Sequence, residues 1–169
     1  MGNETNDHDK ALLLQHLNAQ RSHVLGALDG LTDEQLSRPV LPSGWTCIEL
    51  IRHLTIADEQ YWFRCVMGGA PISELPTEPH GDWLVGADET PEMVLAAYRD
   101  EIDRSDHLIA STRIDDAPRQ PDPIWDQWGM SFPNLRAVML HVITETAVHA
   151  GHLDAVREII DGKQWIVLD

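Results

Sequence analysis

Four stretches of this 169-residue chain bring an apolar residue round every three or four positions, and apart from the tail nothing of any length does so every two. That period constrains the fold more than any motif does. It gathers apolar side chains into one stripe of an α-helix, whereas a strand would scatter them over both faces. The first stretch, residues 9–29, carries Leu13, Leu17, Gln20, Val24 and Leu28 on its stripe. A short helical turn is expected at 32–36, after which RPVLPSG breaks the pattern. The second stretch, 46–67, opens on a Thr46/Glu49 capping box, carries Leu50, Leu54, Ala57 and Tyr61, and stops at Gly68-Gly69-Ala70-Pro71. The third, 90–112, starts with Thr90 as N-cap and Pro91 in the first helical position. The fourth starts at Ser131 and Pro133 and runs to Asp161, ahead of Gly162. Only the tail KQWIVLD reads as extended.

The fold class is therefore all-α. Four long helices of similar length imply a four-helix bundle, expected as a single domain over 1–169. Two long connections interrupt it, 71–89 and IDDAPRQPDPIWDQWGMS at 114–131. Loops of that length in a compact domain tend to carry function. Trp83, Trp125 and Trp128 on these loops are placed either to wall a pocket or to cap the end of the bundle.

A formal charge of −16 disfavours nucleic acid and anionic membrane as partners, since both would be repelled. No run approaches the roughly 20 apolar residues of a membrane span. The acidic opening MGNETNDHDK has no features of a secretory signal, so a cytoplasmic location is expected. Cys47 and Cys65, with no CxxC pair, suit a reducing compartment and packing as small apolar groups.

The last helix poses the chemical question. Val138, Val142, Glu145, His149, His152 and Val156 follow one another in steps of four and three, with valines at the ends and ionisable groups in the middle. An unpaired carboxylate on a buried stripe costs several kcal/mol or stays protonated. Glu145 therefore needs a partner. Side chains four apart lie about 6 Å from each other at Cβ, so Glu145 and His149 can converge on one metal ion. A third ligand has to come from elsewhere, and His53, between Leu50 and Ala57 on the second helix, is the inward candidate. Two nitrogens, one oxygen and an open position make a catalytic type of zinc site. The spacing leaves other sets open: His141, Glu145, His149 and His152 share a sector of about 80°. Glu145 could instead join a buried ion pair. No HExxH, no repeated Glu-x-x-His pair, no phosphate loop and no GxSxG elbow is present.

GWTCIELIRHL at 44–54 and ETAVHAGHLDAVREIIDG at 145–162 resemble the DinB superfamily, and more narrowly its branch of mycothiol-dependent isomerases and S-transferases. The first helix and loop resemble it too, so the likeness covers most of the chain. The resemblance implies an up-down-down-up four-helix bundle and a divalent metal, with zinc first and nickel or iron as alternatives. It places the ligands on His53, Glu145 and His149. It also implies mycothiol or another small thiol as cosubstrate, an electrophilic small molecule as acceptor, and room for a homodimer. His152 is then expected to support the metal pair or shuttle a proton. Asp154 and Arg157 are expected to line the thiol's pocket or to pair on the surface. Val148 stands where many relatives carry Arg, which bears on the choice of thiol. The function expected is a metal-dependent thiol transferase or isomerase; the alternative is a metal-binding bundle without catalysis.

Overall fold

The computed structural model describes residues 2–165, with side chains from Asn6 onward, and all of its regular structure is helical. Helix α1 spans Gly2–Leu28 and α2 spans Asp33–Leu36. Helix α3 spans Cys47–His53 and continues without a break as a π-helix over Leu54–Met67. Single 3₁₀ turns follow at Ile72–Glu74 and Gly81–Trp83. Helices α4 (Pro91–Ser111), α5 (Ile124–Trp128) and α6 (Leu135–Asp161) complete the order.

Most of these elements start where local chemistry says they should. Thr46 accepts from the Glu49 amide while the Glu49 carboxylate takes the Thr46 amide, and Thr90 caps α4 by accepting from Met93. Three departures have physical causes. Helix α1 begins well before residue 9, because its polar first turns carry no apolar period to read. They are held by polar contacts instead: Lys10 donates to the carbonyls of Ala110 and Thr112, and Arg136 to Asp9. Helix α6 starts at Leu135 rather than near Ser131, because the Asn134 side chain accepts from the Ala137 amide and takes the N-cap role. The loop 114–131 is not wholly irregular but contains α5. Of the tail, residues 163–165 are irregular, and the rest of the expected extended segment lies outside the described residues.

The core falls into two apolar clusters. One gathers Val24, Leu28, Leu50, Ile51, Leu54, Tyr98, Leu153 and Val156, the other Leu17, Phe63, Val66, Ile109, Leu135, Val138 and Val142. Along each long helix a buried polar residue separates the two: Arg21 on α1, Glu59 on the π-helix, Ser105 on α4 and Thr146 on α6. Arg21 and Glu59 form a bidentate pair, Nε to Oε1 at 2.7 Å and Nη2 to Oε2 at 2.6 Å, and Arg21 Nη1 reaches Asp106 at 2.7 Å. Taking these two charges out of water is costly, and each is tolerable only because the other is there.

Removing one partner alone should therefore be severe. Glu59→Ala is expected to lower the unfolding free energy by about 3–5 kcal/mol, and the double variant Arg21→Met/Glu59→Leu by much less. Urea unfolding followed by circular dichroism measures both; a single variant within about 1 kcal/mol of the native protein would mean the pair is not a structural requirement.

Candidate metal and thiol site

The buried stripe of α6 runs through Val138, Met139, Val142, Thr146, Ala150, Leu153 and Val156. The expected stripe through Glu145, His149 and His152 is thus displaced by one residue in the middle of the helix. Steps of three and four can pass equally through 145 or 146 and through 149 or 150, and the core takes the small Thr146 and Ala150. Glu145 and His149 sit half-buried on the shoulder of the stripe, and His152 is exposed. A carboxylate on that shoulder keeps part of its hydration while facing other elements.

What it faces is a cavity of about 540 Å³. His53 and Asp58 from the second long helix line it, with Glu145 and His141 from α6 and Asp82 from the loop after the π-helix. The His53 and His149 rings meet edge to face at 5.0 Å between centroids. His149 itself stands beside His53 and is not among the residues that line the cavity. The indole of Trp83 stacks on His53 at 4.4 Å, and Asp82 Oδ2 lies 2.5 Å from His53 Nδ1. That bond fixes the ring and leaves Nε2 as its unengaged nitrogen. The loop that delivers Asp82 is tight: a side chain at Gly81 would put its Cβ 2.6 Å from Pro76 Cβ.

Burial, and after it the nearby His53 and His152, lowers the pKa of His149 to about 4, so its ring is neutral at physiological pH. Its Nδ1 is buried with no hydrogen-bond partner. Burial also lowers the pKa of His141. Asp58 goes the other way: burial first, then the charges of Glu59 and Glu145, raises its carboxyl well above the usual range. The two imidazoles of His53 and His149 with one carboxylate are the donor chemistry that a borderline divalent ion takes. Among the described residues, however, no three His, Cys, Asp or Glu side chains are drawn together closely enough to enclose an ion.

The other expected site residues lie apart from this group. His152 packs at 5.6 Å from the His149 ring and 6.5 Å from Trp45. Asp154 pairs with His23 at 2.7 Å, not with Arg157. Arg157 is buried: its Nη1 donates to the carbonyls of Ala27 and Asp29 and its Nε to Asp161, so it closes the C-terminal end of α1, where it also lines a second, smaller cavity with Gly26 and Lys163. Of the loop tryptophans, Trp125 and Trp128 line the cavity, whereas Trp83 stands behind His53.

Several residues escaped the sequence reading. Asp58 is five residues beyond His53 and would point elsewhere on an α-helix; the wider i→i+5 turn of the π-helix brings both to one cavity. Asp82 and Asp122 are loop residues with no periodic signal. Tyr61 was read as part of a core stripe; its hydroxyl donates to Asp122 at 3.0 Å and accepts from Trp125 Nε1 at 3.1 Å.

A family model described as Mycothiol-S-transferase matches residues 12–162 of the chain. No curated protein matches it.

The chain's own thiols are poor candidates for any nucleophilic role. Cys47 and Cys65 are both free and buried, and burial pushes the Cys47 thiol up to about 11. Its ordinary value is 9.0, so the stability that this burial contributes is whole below pH 9 and is lost as the pH rises through about 11. Iodoacetamide at pH 8 is expected to leave the native protein unmodified and to alkylate both cysteines in urea, as read by intact-mass spectrometry. Rapid labelling of the native protein would contradict this.

Proposed function

The chain belongs to the Mycothiol-S-transferase family, and from that premise we propose that it joins a small thiol, mycothiol by family, to an electrophilic small molecule. In this proposal a divalent ion, zinc first, is held by His53, Glu145 and His149. The same reading takes the four long helices as an up-down-down-up bundle forming one domain. One observation carries it: His53 and His149, on two different helices, stand 5.0 Å apart beside the carboxylate-lined cavity, and His149 Nδ1 is buried with nothing to bond. A buried ring nitrogen without a partner calls for an explanation, and a role as metal ligand is one that fits its neighbours.

A divalent ion at this place supplies the positive charge that favours thiolate over thiol near neutral pH. The remaining work belongs to the chain's own groups. Asp82 holds His53 with Nε2 free. His149 stays unprotonated because it is buried beside two other imidazoles. Glu145 contributes negative charge from the shoulder of α6, and His152, exposed next to His149, is placed to pass a proton to solvent. Trp62 and Trp125, stacked at 5.5 Å, keep water from the cavity floor. Asp154 and Arg157 serve the frame in this reading, since Asp154 is bonded to His23 and Arg157 donates to the end of α1.

Metal analysis of the purified protein tests the proposal. The native chain should retain about one divalent ion, and His53→Ala and Glu145→Ala should lose it. Asp82→Asn should weaken metal affinity by about 10–100-fold while leaving the helical content intact. Dialysis against a chelator should abolish conjugation of mycothiol to a reactive halide. Undiminished turnover after chelation, or an ion retained by His53→Ala, would overturn the metal mechanism. A bound ion with no conjugation of any thiol would leave a metal-binding bundle without catalysis.

A further inference from the structure

We propose that the electrophile accepted by this chain is a flat aromatic molecule bearing no negative charge, and that the cavity beside His53 makes that selection. The inference rests on the thiol-transferase reading above for the reaction, but its observations are those of the cavity alone.

The charge of the walls is one-sided. Asp82, Asp122 and Glu145 line the cavity, and no lysine or arginine is among the residues that do. Two of the carboxylates are already engaged: Asp82 with His53, and Asp122 with the Tyr61 hydroxyl and the Ile124 amide. Their oxygens are not free to turn away from an incoming anion. The buried guanidinium of Arg21 is taken by Glu59 and Asp106. A substrate carboxylate entering here would lose its water, meet no cation of the chain, and face fixed negative groups. The −16 formal charge of the whole chain adds repulsion at long range. The cation of the proposed metal site does not reverse this, because it is shared between Glu145 and the thiolate.

The rest of the wall is aromatic. Trp62 and Trp125 stack in parallel, and Trp125 is locked by its indole N–H bond to Tyr61. Trp128 lines the rim with 62 % of its surface exposed, a large flat face with little packed on it. Met130 beside it supplies a side chain that adapts to the outline of a ring. Offset stacking rewards a planar π-system, and indole faces next to carboxylates favour a cationic ring further. The size, about 540 Å³, falls within the range of about 300–1,000 Å³ usual for small-molecule sites. In the reaction itself the sulfur–carbon bond would form as the bond from carbon to a leaving group such as halide breaks. The leaving group departs with the electron pair, and the thiol's proton passes to solvent.

Three inert ligands built on one tolyl ring test the selection without needing turnover: 4-methylbenzoate, 4-methylbenzamide and the 4-methylphenyl trimethylammonium ion. Binding is read from quenching of tryptophan fluorescence in the native protein with mycothiol present in excess. The amide and the ammonium ion are expected to bind, and the carboxylate at least about tenfold more weakly than the amide. Met130→Lys, with unchanged circular dichroism, should raise carboxylate affinity about fivefold or more and lower that of the ammonium ion. Equal binding of carboxylate and amide by the native protein, or no binding of any of the three, would overturn the inference. Should Met130→Lys not fold, the native discrimination alone decides. Conjugation of mycothiol to 4-methylbenzyl bromide is scored separately. The expected binding order with no conjugation would sink the transferase reading and leave the cavity's selectivity standing.

Discussion

A carboxylate taken out of water on the side of a helix needs positive charge within reach, and this chain meets that need in two different ways. In the middle of the core the answer is internal. Glu59 faces Arg21 in a two-point contact, with Asp106 and Asn18 on the remaining guanidinium nitrogen. That layer separates two apolar clusters and ties the first, second and third long helices to one another. At the cavity the answer is different. Burial and the neighbouring carboxylates push the Asp58 carboxyl well above its usual range, and Glu145 stays on the shoulder of α6, half in water, with imidazoles near it and no lysine or arginine on the cavity wall. A place of that character is suited to a cation that the chain does not itself provide.

The π-helix over Leu54–Met67 links the two places. Its wider turn lets one helix present Glu59 to Arg21 on one side and His53, Asp58 and Tyr61 to the cavity on another. Such turns are rare and occur mostly as single bulges near functional sites, because their packing is less favourable than that of an α-helix. A segment of 14 residues is held here by burial of Trp62, Phe63, Val66 and Met67 against the second cluster. The cavity's aromatic wall and the support of the candidate metal residues are thus parts of one element.

How much of this was legible in the chain follows from the range of the interactions. Caps are local, and Thr46, Thr90 and the turn at 32–36 behave as their sequences say. The helical period is local too, and it located all four long helices. It could not choose between neighbours on a helix: the core takes Thr146 and Ala150 rather than Glu145 and His149, because only packing against other helices breaks that tie. It also could not show a π-turn, whose residues look like those of any amphipathic helix. Contacts between distant parts of the chain were out of reach. Nothing near His53 in sequence points to Asp82, and nothing near Asp154 points to His23 rather than Arg157. The likeness of 145–162 to a known family pointed to the same pair of helices as the wheel did, and it named a chemistry that periodicity alone does not contain.

The central claim is that His53, Glu145 and His149 hold a divalent ion whose open position receives the sulfur of a small thiol. X-ray absorption at the edge of the bound metal, recorded with and without mycothiol, tests it most directly. The account predicts a first shell of nitrogen and oxygen alone in the free protein, and one added sulfur scatterer at about 2.3 Å when the thiol is present. A spectrum that gains no sulfur on addition of mycothiol, or that already shows sulfur without it, would contradict the account.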